Sequence, residues 1–188
     1  MSPGSTGRRR RYLEKQALKR FLKHKRLNAL ASPGPYPYVI VLDHLKPAFN
    51  IGKIFRSAEA FGAREVHLIG TEFFDPSPAK GSFKVVPARF YETFDESYGS
   101  LRGEGYTFFV LDPTAPKTLW KADLPDRSAF VFGHEEFGLR FRPADYQGIC
   151  TLRIPQQGRV QSLNVSVAAS IVMAEYVRRR EGGEGVCF

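Results

Sequence analysis

The chain has 188 residues, of which 43% are hydrophobic and 25% charged, as in an ordinary globular protein. This composition excludes a disordered chain, a collagen and a coiled-coil rod, and no apolar run approaches the ~20 residues that span a bilayer. The two cysteines, Cys150 and Cys187, lack the spacing of a disulfide framework or a metal site. We therefore expect a cytoplasmic protein of one main domain, without a bound metal.

The net charge of +9 is concentrated at the N-terminus. Residues 1–30 contain ten Lys and Arg and one acid, Glu14, whereas the rest of the chain is neutral in sum. Such a basic segment is typical of proteins that bind a phosphate backbone. Helical spacing of apolar residues predicts an amphipathic helix over Tyr12–Leu30 with its apolar side docked. That side comprises Leu13, Ala17, Phe21 and Leu22. A solvated basic face and a membrane-surface helix are the alternatives to nucleic-acid binding.

Beyond a hinge at Ser32–Pro35, apolar runs alternate with helical patterns. Strands are predicted over Tyr38–Leu42, Val66–Ile69, Phe83–Val86, Tyr106–Leu111, Ala129–Phe132 and Ile149–Ile154. Helices are predicted over Ile51–Phe61, Asp95–Arg102 and Leu163–Arg180. This alternation predicts an α/β fold, with a mainly parallel sheet and helices on both faces. We divide the chain into a basic arm with its helix (1–34), a main domain (35–181) and a flexible tail (182–188).

Ligands of an open parallel sheet bind beyond the carboxyl ends of the strands, so the loops there are the candidate sites. Three loops stand out: Asp43–Arg56, Gly133–Leu139 and Pro155–Asn164. In the first, Asn50 occupies the position of a helix N-cap. Arg56 follows less than two turns later, and its apolar neighbours predict that it is held close to the sheet. An N-cap followed by a surface arginine explains the same segment without a function.

The second loop places two glycines around two acids, directly after a strand. Gly133 permits close approach of the backbone to a ligand. Glu135 is suited to accept a hydrogen bond from a ribose, an amine or Arg56. A solvated turn is the alternative. His134 beside these acids does not indicate a metal, because no second ligand cluster has the required spacing.

The third loop leads from Ile154 through a polar, glycine-containing run into a helix rich in small residues. Ser162 or Asn164 is suited to cap that helix. Capping explains one polar group, but it does not explain the whole polar run.

Together, the three segments resemble the SpoU/TrmH branch of the SPOUT RNA methyltransferases. Residues 50–62 resemble its Asn-x-Gly-x-x-x-Arg-x-Ala-x-Ala-Phe-Gly motif. Residues 133–139 resemble its Gly-x-Glu-x-x-Gly-Leu motif. Residues 154–175 resemble its Ile-Pro…Gly…Ser-Leu-Asn-Val-Ser-Val-Ala-Ala…Glu signature. All three occur in the order of the family.

The resemblance implies a C-terminal deep trefoil knot, S-adenosyl-L-methionine as cofactor, and a homodimer. It also implies methyl transfer to a ribose 2′-hydroxyl of tRNA or rRNA, with RNA held by the basic arm. The shortness of that arm favours tRNA. Carried over residue by residue, the motifs imply that Arg56 is catalytic, supported by Asn50, Glu135, Ser162 and Asn164. The implied cofactor-binding residues are Leu111, Gly133, Ile154, Gln156, Ser162 and Leu163.

A guanidinium resists deprotonation, so we expect Arg56 to stabilise the developing negative charge rather than to act as a base. Two residues depart from the family pattern: His134 replaces Asn or Ser, and Gln156 replaces Met, which brings a polar group towards the adenine. The alternative function is a non-catalytic RNA-binding or assembly factor. Retention of Arg56 and Ser162–Asn164 favours the enzyme. A nicotinamide-dependent dehydrogenase is excluded because no Gly-x-Gly-x-x-Gly follows the first strand.

Overall fold

The computed structural model describes residues 4–46 and 49–182. It contains one parallel sheet of six strands in the order β3-β2-β1-β5-β4-β6. The strands are β1 Tyr36–Asp43, β2 Ala63–Ile69, β3 Ala88–Tyr91, β4 Thr107–Leu111, β5 Ser128–Phe132 and β6 Ile149–Leu152. The α-helices are α1 Gly4–Asn28, α2 Phe49–Ala60, α3 Phe94–Gly103 and α4 Val165–Glu181. The predicted α/β fold with a parallel sheet is confirmed.

Strand β1 shows why both faces of the sheet are covered. Its side chains alternate between the faces, as the strand period requires. Tyr38, Ile40 and Leu42 join the core that includes residues of α1, α2 and α4. Val39 and Val41 join the core beneath α3. Because both faces of β1 are buried, its sequence is a continuous apolar run rather than an alternating one.

The strand predicted over Phe83–Val86 is wrong. Residues Ser82–Lys84 form a short 3-10 turn, and the edge strand β3 follows at Ala88–Tyr91. Phe83 is apolar because it is buried among aromatic rings, with its centroid 5.6 Å from that of Phe21 and 4.8 Å from that of Phe74. An apolar run of this length fits either a strand or a buried turn, so the pattern alone did not separate them.

Helix α1 is docked through its C-terminal half. Phe21 is buried among four phenylalanine rings, those of Phe73, Phe74, Phe83 and Phe90. Asn28 donates to the carbonyl oxygens of Phe83 (2.7 Å) and Val86 (2.6 Å) and accepts from the amide of Ala88 at 3.0 Å. These contacts fix the end of the helix on the segment that precedes β3.

The docked face of α1 is narrower than the sequence predicted, and the helix begins earlier, at Gly4. Ala17 and Phe21 are buried, whereas Leu13 and Leu22 are about half exposed. Leu22 lies ~100° around the helix from Phe21, and Leu13 lies two turns before Phe21. The four-residue spacing of Leu13, Ala17 and Phe21 therefore predicted the face of α1 that docks, but it did not predict how far along the helix the docked contact extends.

The strand order reverses between β1 and β5, which is the topological switch point where ligands of open sheets bind. Strand order and pairing do not specify whether the chain passes through a loop, so the trefoil knot remains a prediction. The predicted tail lies outside the described residues apart from Gly182. In the described ranges, no helix is long and apolar enough to cross a membrane.

Candidate active site

A cavity of about 1060 Å³ lies at the carboxyl ends of β4, β5 and β6. The end of β4, the loop after β5 and the loop between β6 and α4 form its walls. Leu111, Leu152 and Ile154 contribute apolar surface, whereas Glu135 and Asn164 contribute polar groups. A mostly apolar cavity with a few convergent polar groups is typical of a binding site for a small organic molecule.

The loop after β5 is a tight turn. Backbone hydrogen bonds of 2.8 and 2.9 Å join His134 and Gly138, and Gly138 has a φ of +69°. A Cβ atom on Gly133 would lie 2.6 Å from the carbonyl carbon of Gly138. Only glycine at position 133 lets the two limbs of this turn lie so close together, and this brings Glu135 to the cavity.

His134 holds this turn from within. Its ring Nδ1 accepts hydrogen bonds from the backbone amides of Glu136 (3.0 Å) and Phe137 (3.3 Å). In a neutral ring, acceptance at Nδ1 places the proton on Nε2. Asn and Ser, the residues of the resembled motif, provide a side-chain acceptor of the same kind. The departure at His134 therefore preserves the local structure.

A chain of side-chain hydrogen bonds links all three candidate loops at the edge of the cavity. Asn50 Nδ2 donates to Glu135 Oε1 at 2.8 Å, and the backbone amide of Lys46 donates to Glu135 Oε2 at 3.2 Å. Asn164 Nδ2 donates to Asn50 Oδ1 at 3.3 Å. We call Asn50, Glu135 and Asn164 the rim network. It joins the segment after β1, the turn after β5 and the start of α4.

Glu135 carries a negative charge at neutral pH. Partial burial raises the pKa of this carboxyl. Hydrogen bonds from Asn50 and from the backbone amides of Glu135 and Lys46 together lower the pKa by more than burial raises it. The resulting pKa lies below the ordinary value of 4.5. The rim network therefore places a fixed anionic group beside the cavity.

Asn164 is the N-cap of α4, one of the two residues the sequence allowed. Its Oδ1 accepts from the backbone amide of Ser166 at 2.9 Å and from the Ser166 hydroxyl at 2.6 Å. The prediction of Asn50 as an N-cap is wrong, because α2 begins at Phe49 and the Asn50 amide bonds instead to Glu135 and Asn164. The side-chain amide of Asn164 thus serves two elements, because its oxygen caps α4 and its nitrogen donates to Asn50.

The structure places all six sequence-predicted cofactor residues in the cavity wall: Leu111, Gly133, Ile154, Gln156, Ser162 and Leu163. Gln156 has a buried Oε1 atom with no hydrogen-bond partner among the described residues. A buried amide oxygen without a partner is costly, so a ligand that donates a hydrogen bond there would recover that cost. Of the predicted catalytic residues, Glu135, Ser162 and Asn164 line the cavity, and Asn50 contacts it through Glu135.

Arg56 does not line this cavity. It is exposed, contrary to the prediction that the sheet holds it close, and it borders a separate groove of about 480 Å³ between α2 and α4. Phe61, Val167 and Ile171 supply apolar surface in that groove. Arg56 lies six residues beyond Asn50, which is ~9 Å along the helix and ~120° around it. This spacing already separates the two side chains around the helix, but the groove that Arg56 borders depends on how α2 is rotated against α4.

Two residues at the site carried little signal in the sequence. Asp43 is fully buried at the end of β1, where its Oδ2 accepts from the Arg140 backbone amide at 2.7 Å and its Oδ1 contacts His44 Nδ1 at 2.7 Å. Lys46 forms a 2.6 Å ion pair with Glu136. Both tie the β1 loop to the turn after β5. An acid directly after a buried strand was the only sequence signal for Asp43.

The fold and the cavity define a parallel α/β protein with a ligand site at the carboxyl edge of its sheet. Residues 37–174 match the model of the SpoU rRNA Methylase family. The chain belongs to this family.

Individual relatives act on two kinds of RNA. Over 169 residues, the chain is 28% identical to a 23S rRNA (guanosine-2′-O-)-methyltransferase of Xylella fastidiosa. This match covers 87% of the chain and 68% of the relative. Over 147 residues, it is 30% identical to the tRNA (guanosine(18)-2′-O)-methyltransferase of Thermus thermophilus, covering 75% of the chain and 74% of the relative.

Among solved structures, an AdoMet-bound rRNA methyltransferase from Sinorhizobium meliloti matches with a TM-score of 0.65 and 26% identity. The match covers 82% of the chain and 60% of that structure. The chain thus spans about two thirds of the length of the rRNA enzymes that it matches.

Proposed function

We propose that the protein is an S-adenosyl-L-methionine-dependent RNA methyltransferase that acts on a ribose 2′-hydroxyl. The observation that carries this proposal is the cavity at the carboxyl edge of the sheet, bordered by the rim network. Relatives of both substrate classes, with identities of 28% and 30%, support the reaction type. The sequence motifs and the three loops linked by the rim network concern the same residues.

The residues of the cavity fit the cofactor. Leu111, Ile154 and Leu163 offer apolar surface to an adenine ring, and the unpartnered Oε1 of Gln156 is suited to accept from its amino group. The anionic Glu135 favours a positive sulfonium nearby. When bound, the cofactor supplies a methyl group on a sulfonium, and transfer to the 2′-oxygen leaves a neutral thioether while the hydroxyl proton passes to solvent.

The rim network orients the ribose. Its amides are fixed by hydrogen bonds to one another and to the α4 cap, so they need little reorganisation when RNA binds. Ser162 adds a hydroxyl at the same wall. The main role of these residues is to hold the 2′-oxygen in line with the methyl group. Good alignment lowers the activation barrier by about 7–11 kcal/mol in favourable cases.

Arg56 stabilises the developing alkoxide, and we propose that it does so across a homodimer. In one chain it lies on the groove between α2 and α4, away from the cavity wall. That groove also contains Ser166, which is hydrogen-bonded to the rim residue Asn164. A two-fold contact through the exposed Val167 and Phe49 would bring the same face of both copies together. Each cavity edge would then be adjacent to the α2 helix of the other copy.

The basic helix α1 supplies RNA affinity in this proposal, with residues 1–34 as the RNA-binding extension and residues 35–181 as the methyltransferase domain. Every side chain described between Gly7 and Gln16 is exposed, including Arg9, Arg11 and Lys15. We favour tRNA over rRNA as the substrate and the cytoplasm as the compartment. The exposed free thiol of Cys150 is typical of a reducing compartment.

The activity is tested with methyl-labelled S-adenosylmethionine and unmodified tRNA or rRNA, followed by detection of 2′-O-methylated nucleosides. We expect label in a single nucleoside of one RNA class. A protein that binds the cofactor but transfers no label to either RNA would contradict the proposal and favour the non-catalytic factor.

Arg56 is tested with Arg56→Ala and the charge-conserving Arg56→Lys. We expect the alanine variant to lose about 10²–10³-fold in rate, as when a preorganised donor is removed, and the lysine variant to lose less. Cofactor affinity, measured by calorimetry, stays unchanged in both because Arg56 does not line the cavity. A normal rate in Arg56→Ala would overturn the assigned role.

The shared site is tested by complementation. Leu111→Arg blocks the cavity, and Arg56→Ala removes the guanidinium, so each variant alone is inactive. When the two are co-expressed with different tags, a mixed dimer has one complete site, and a random mixture recovers about a quarter of the wild-type activity. Purified mixed dimers without activity would show that each chain uses its own Arg56.

The extension is tested by removing residues 1–16, which keeps the docked Ala17 and Phe21 and removes five basic residues. Each lost phosphate contact reduces the slope of log affinity against log salt by about 0.7–0.9. We expect a smaller slope and unchanged cofactor binding. An unchanged slope would show that RNA binds elsewhere.

A further inference from the structure

A second, smaller cavity lies between α1 and the segment that follows β2. It has a volume of about 430 Å³, and its lining includes Arg20 and His24 of α1 together with Ser77, Lys80 and Lys84. We call it the cationic cavity. None of its residues belongs to the three motifs that define the family resemblance, and none lines the cavity at the carboxyl edge of the sheet.

Positive charge in the cationic cavity exceeds the nearby negative charge. Asp75 pairs with Arg20 at 3.2 Å and also accepts from the Ser77 hydroxyl and backbone amide, at 2.6 and 3.0 Å. Arg20 donates to the Ser77 hydroxyl as well. Within residues 4–46 and 49–182, Lys80 and Lys84 form no ion pair with an acid. The lysines therefore bring two charges to this cavity that no acid among these residues neutralises.

His24 provides an independent sign of a missing ligand. Its Nδ1 is buried, and no described residue forms a hydrogen bond with it. Burial, followed by the positive charges of Lys84, Arg20 and Lys23, lowers the pKa of this imidazole. His24 also lines the cavity, so an anion bound there would provide the negative charge that these cationic groups lack.

The backbone turns sharply at the edge of the cavity. Lys80 has a φ of +51°, in the left-handed region that a residue with a side chain seldom adopts, and Gly81 follows with a φ of +106°. The turn presents Lys80 and Lys84 on either side of Gly81, opposite the side chains of α1. Two separate elements thus converge on one small volume.

We propose that the cationic cavity binds one phosphate group of the RNA backbone. A phosphate offers several acceptor oxygens and a full negative charge, which matches two lysines without a described ion pair and an arginine that has only one acidic partner among the described residues. The choice of RNA over a free phosphate ion rests on the proposed function. It is supported by the position of the cavity on the flank of α1, whose described basic side chains from Arg9 to Lys19 are exposed and continue the positive surface.

The first arm of the test uses inorganic phosphate at constant ionic strength, with the His24 ring nitrogens observed by NMR. Titration is expected to shift the His24 signals of the wild type and to leave those of the Lys80→Gln/Lys84→Gln variant unchanged. The double variant spares Arg20, its bond to Asp75 and the docked Phe21, so the fold of α1 is retained. The control is Lys117→Gln/Lys121→Gln, which removes two exposed charges from another surface.

The second arm measures affinity for total tRNA and for a 20-nucleotide single-stranded RNA as a function of salt. Loss of one phosphate contact is expected to weaken binding equally for both RNAs and to reduce the salt slope by about 1 relative to the control. A slope equal to that of the control would overturn the proposal. If inorganic phosphate shifts His24 while the RNA slope is unchanged, the ligand is a small phosphate, and the RNA assignment is wrong.

This experiment separates the cationic cavity from the proposed activity. RNA binding and its salt slope need no methyl transfer, so they report on the cavity even if the protein proves inactive. Conversely, the double variant is expected to keep the wild-type rate at saturating RNA, because its residues lie outside the candidate active site. A rate that falls at saturation would contradict a role confined to binding.

Discussion

Glu65 and Glu135 are hydrogen-bonded carboxylates in opposite surroundings. Glu65 Oε1 contacts His67 Nε2 at 3.0 Å, its Oε2 accepts from Arg89 at 2.8 Å, and His67 Nδ1 contacts the Ser97 hydroxyl at 2.7 Å. Glu65, His67 and Ser97 are at most 3% exposed. Glu135 instead lies at the edge of a cavity, in the rim network with Asn50 and Asn164.

The comparison shows that the types of residue in a cluster do not indicate its function unless their burial is also known. In the buried set, a histidine contacts a serine through one ring nitrogen and a carboxylate through the other, which is the composition of a hydrolase triad. No substrate reaches it, because its polar atoms are enclosed between β2 and α3. The rim network has less reactive side chains, yet it borders a cavity. The first set therefore stabilises the fold, and the second is the candidate for chemistry.

The largest effect that sharpens this contrast is expected for His67→Leu. This substitution removes the imidazole ring that hydrogen-bonds to both Glu65 and Ser97. Because both groups are buried, the free energy of unfolding should fall by about 3 kcal/mol. Denaturant unfolding at pH 7 measures the change. Ser97→Ala, which removes a single neutral hydrogen bond, should cost only about 1 kcal/mol. Equal and negligible costs would show that the buried set is dispensable.

The converse experiment is Glu135→Gln. It removes the charge of the rim network while keeping the size of the side chain, and we expect the methylation rate to fall about 10²-fold with little change in stability. Glu136→Gln is the matched control, because Glu136 is an exposed neighbour that pairs with Lys46. If both variants lost activity equally, the effect would belong to the turn as a whole rather than to Glu135.

A smaller effect separates the two roles of Asn164. Asn164→Ala removes both the N-cap of α4 and the donor to Asn50, and it should cost about 1 kcal/mol of stability as well as activity. Asn164→Ser retains a capping oxygen but has no amide donor, so it should keep the stability and lose the activity. Thermal unfolding and the methylation assay together provide the two readouts. Full activity in Asn164→Ser would mean that the bond to Asn50 is unimportant.

The smallest effect concerns acid stability. Burial raises the pKa of Glu65, but hydrogen bonds from His67 and Arg89 together lower it by a larger amount. The pKa of Glu65 therefore lies below the ordinary value of 4.5. Its stabilising contribution is therefore complete above about pH 4.5 and is lost as the pH falls through the lowered pKa. Glu65→Gln should remove this part of the pH dependence. The free energy of unfolding is measured from pH 6 to pH 3 in both proteins. An equal dependence of that free energy on pH in the two proteins would contradict this assignment.

Much of the fold could be predicted from the sequence, because buried parallel strands are short apolar runs and α2 has a clear apolar face. The edge strand β3 could not, since its four residues are only partly buried and form no apolar run. At the site, the motifs indicated the loops, and the six residues predicted to bind the cofactor all line the cavity. They did not indicate that Arg56 faces another groove, because that depends on how α2 is rotated against α4.

The docking of α1 has a geometric consequence for the RNA that we propose it binds. The helix has 25 residues, so it is about 37 Å long, and Phe21 and Asn28 fix only its C-terminal part. Its first half, in which the described side chains are exposed, extends about 20 Å from that anchorage. In the proposed function, a helix anchored at one end would set the distance between the nucleotide that it contacts and the ribose at the cavity. Inserting a helical turn before Ala17 would displace the grip without altering the chemistry.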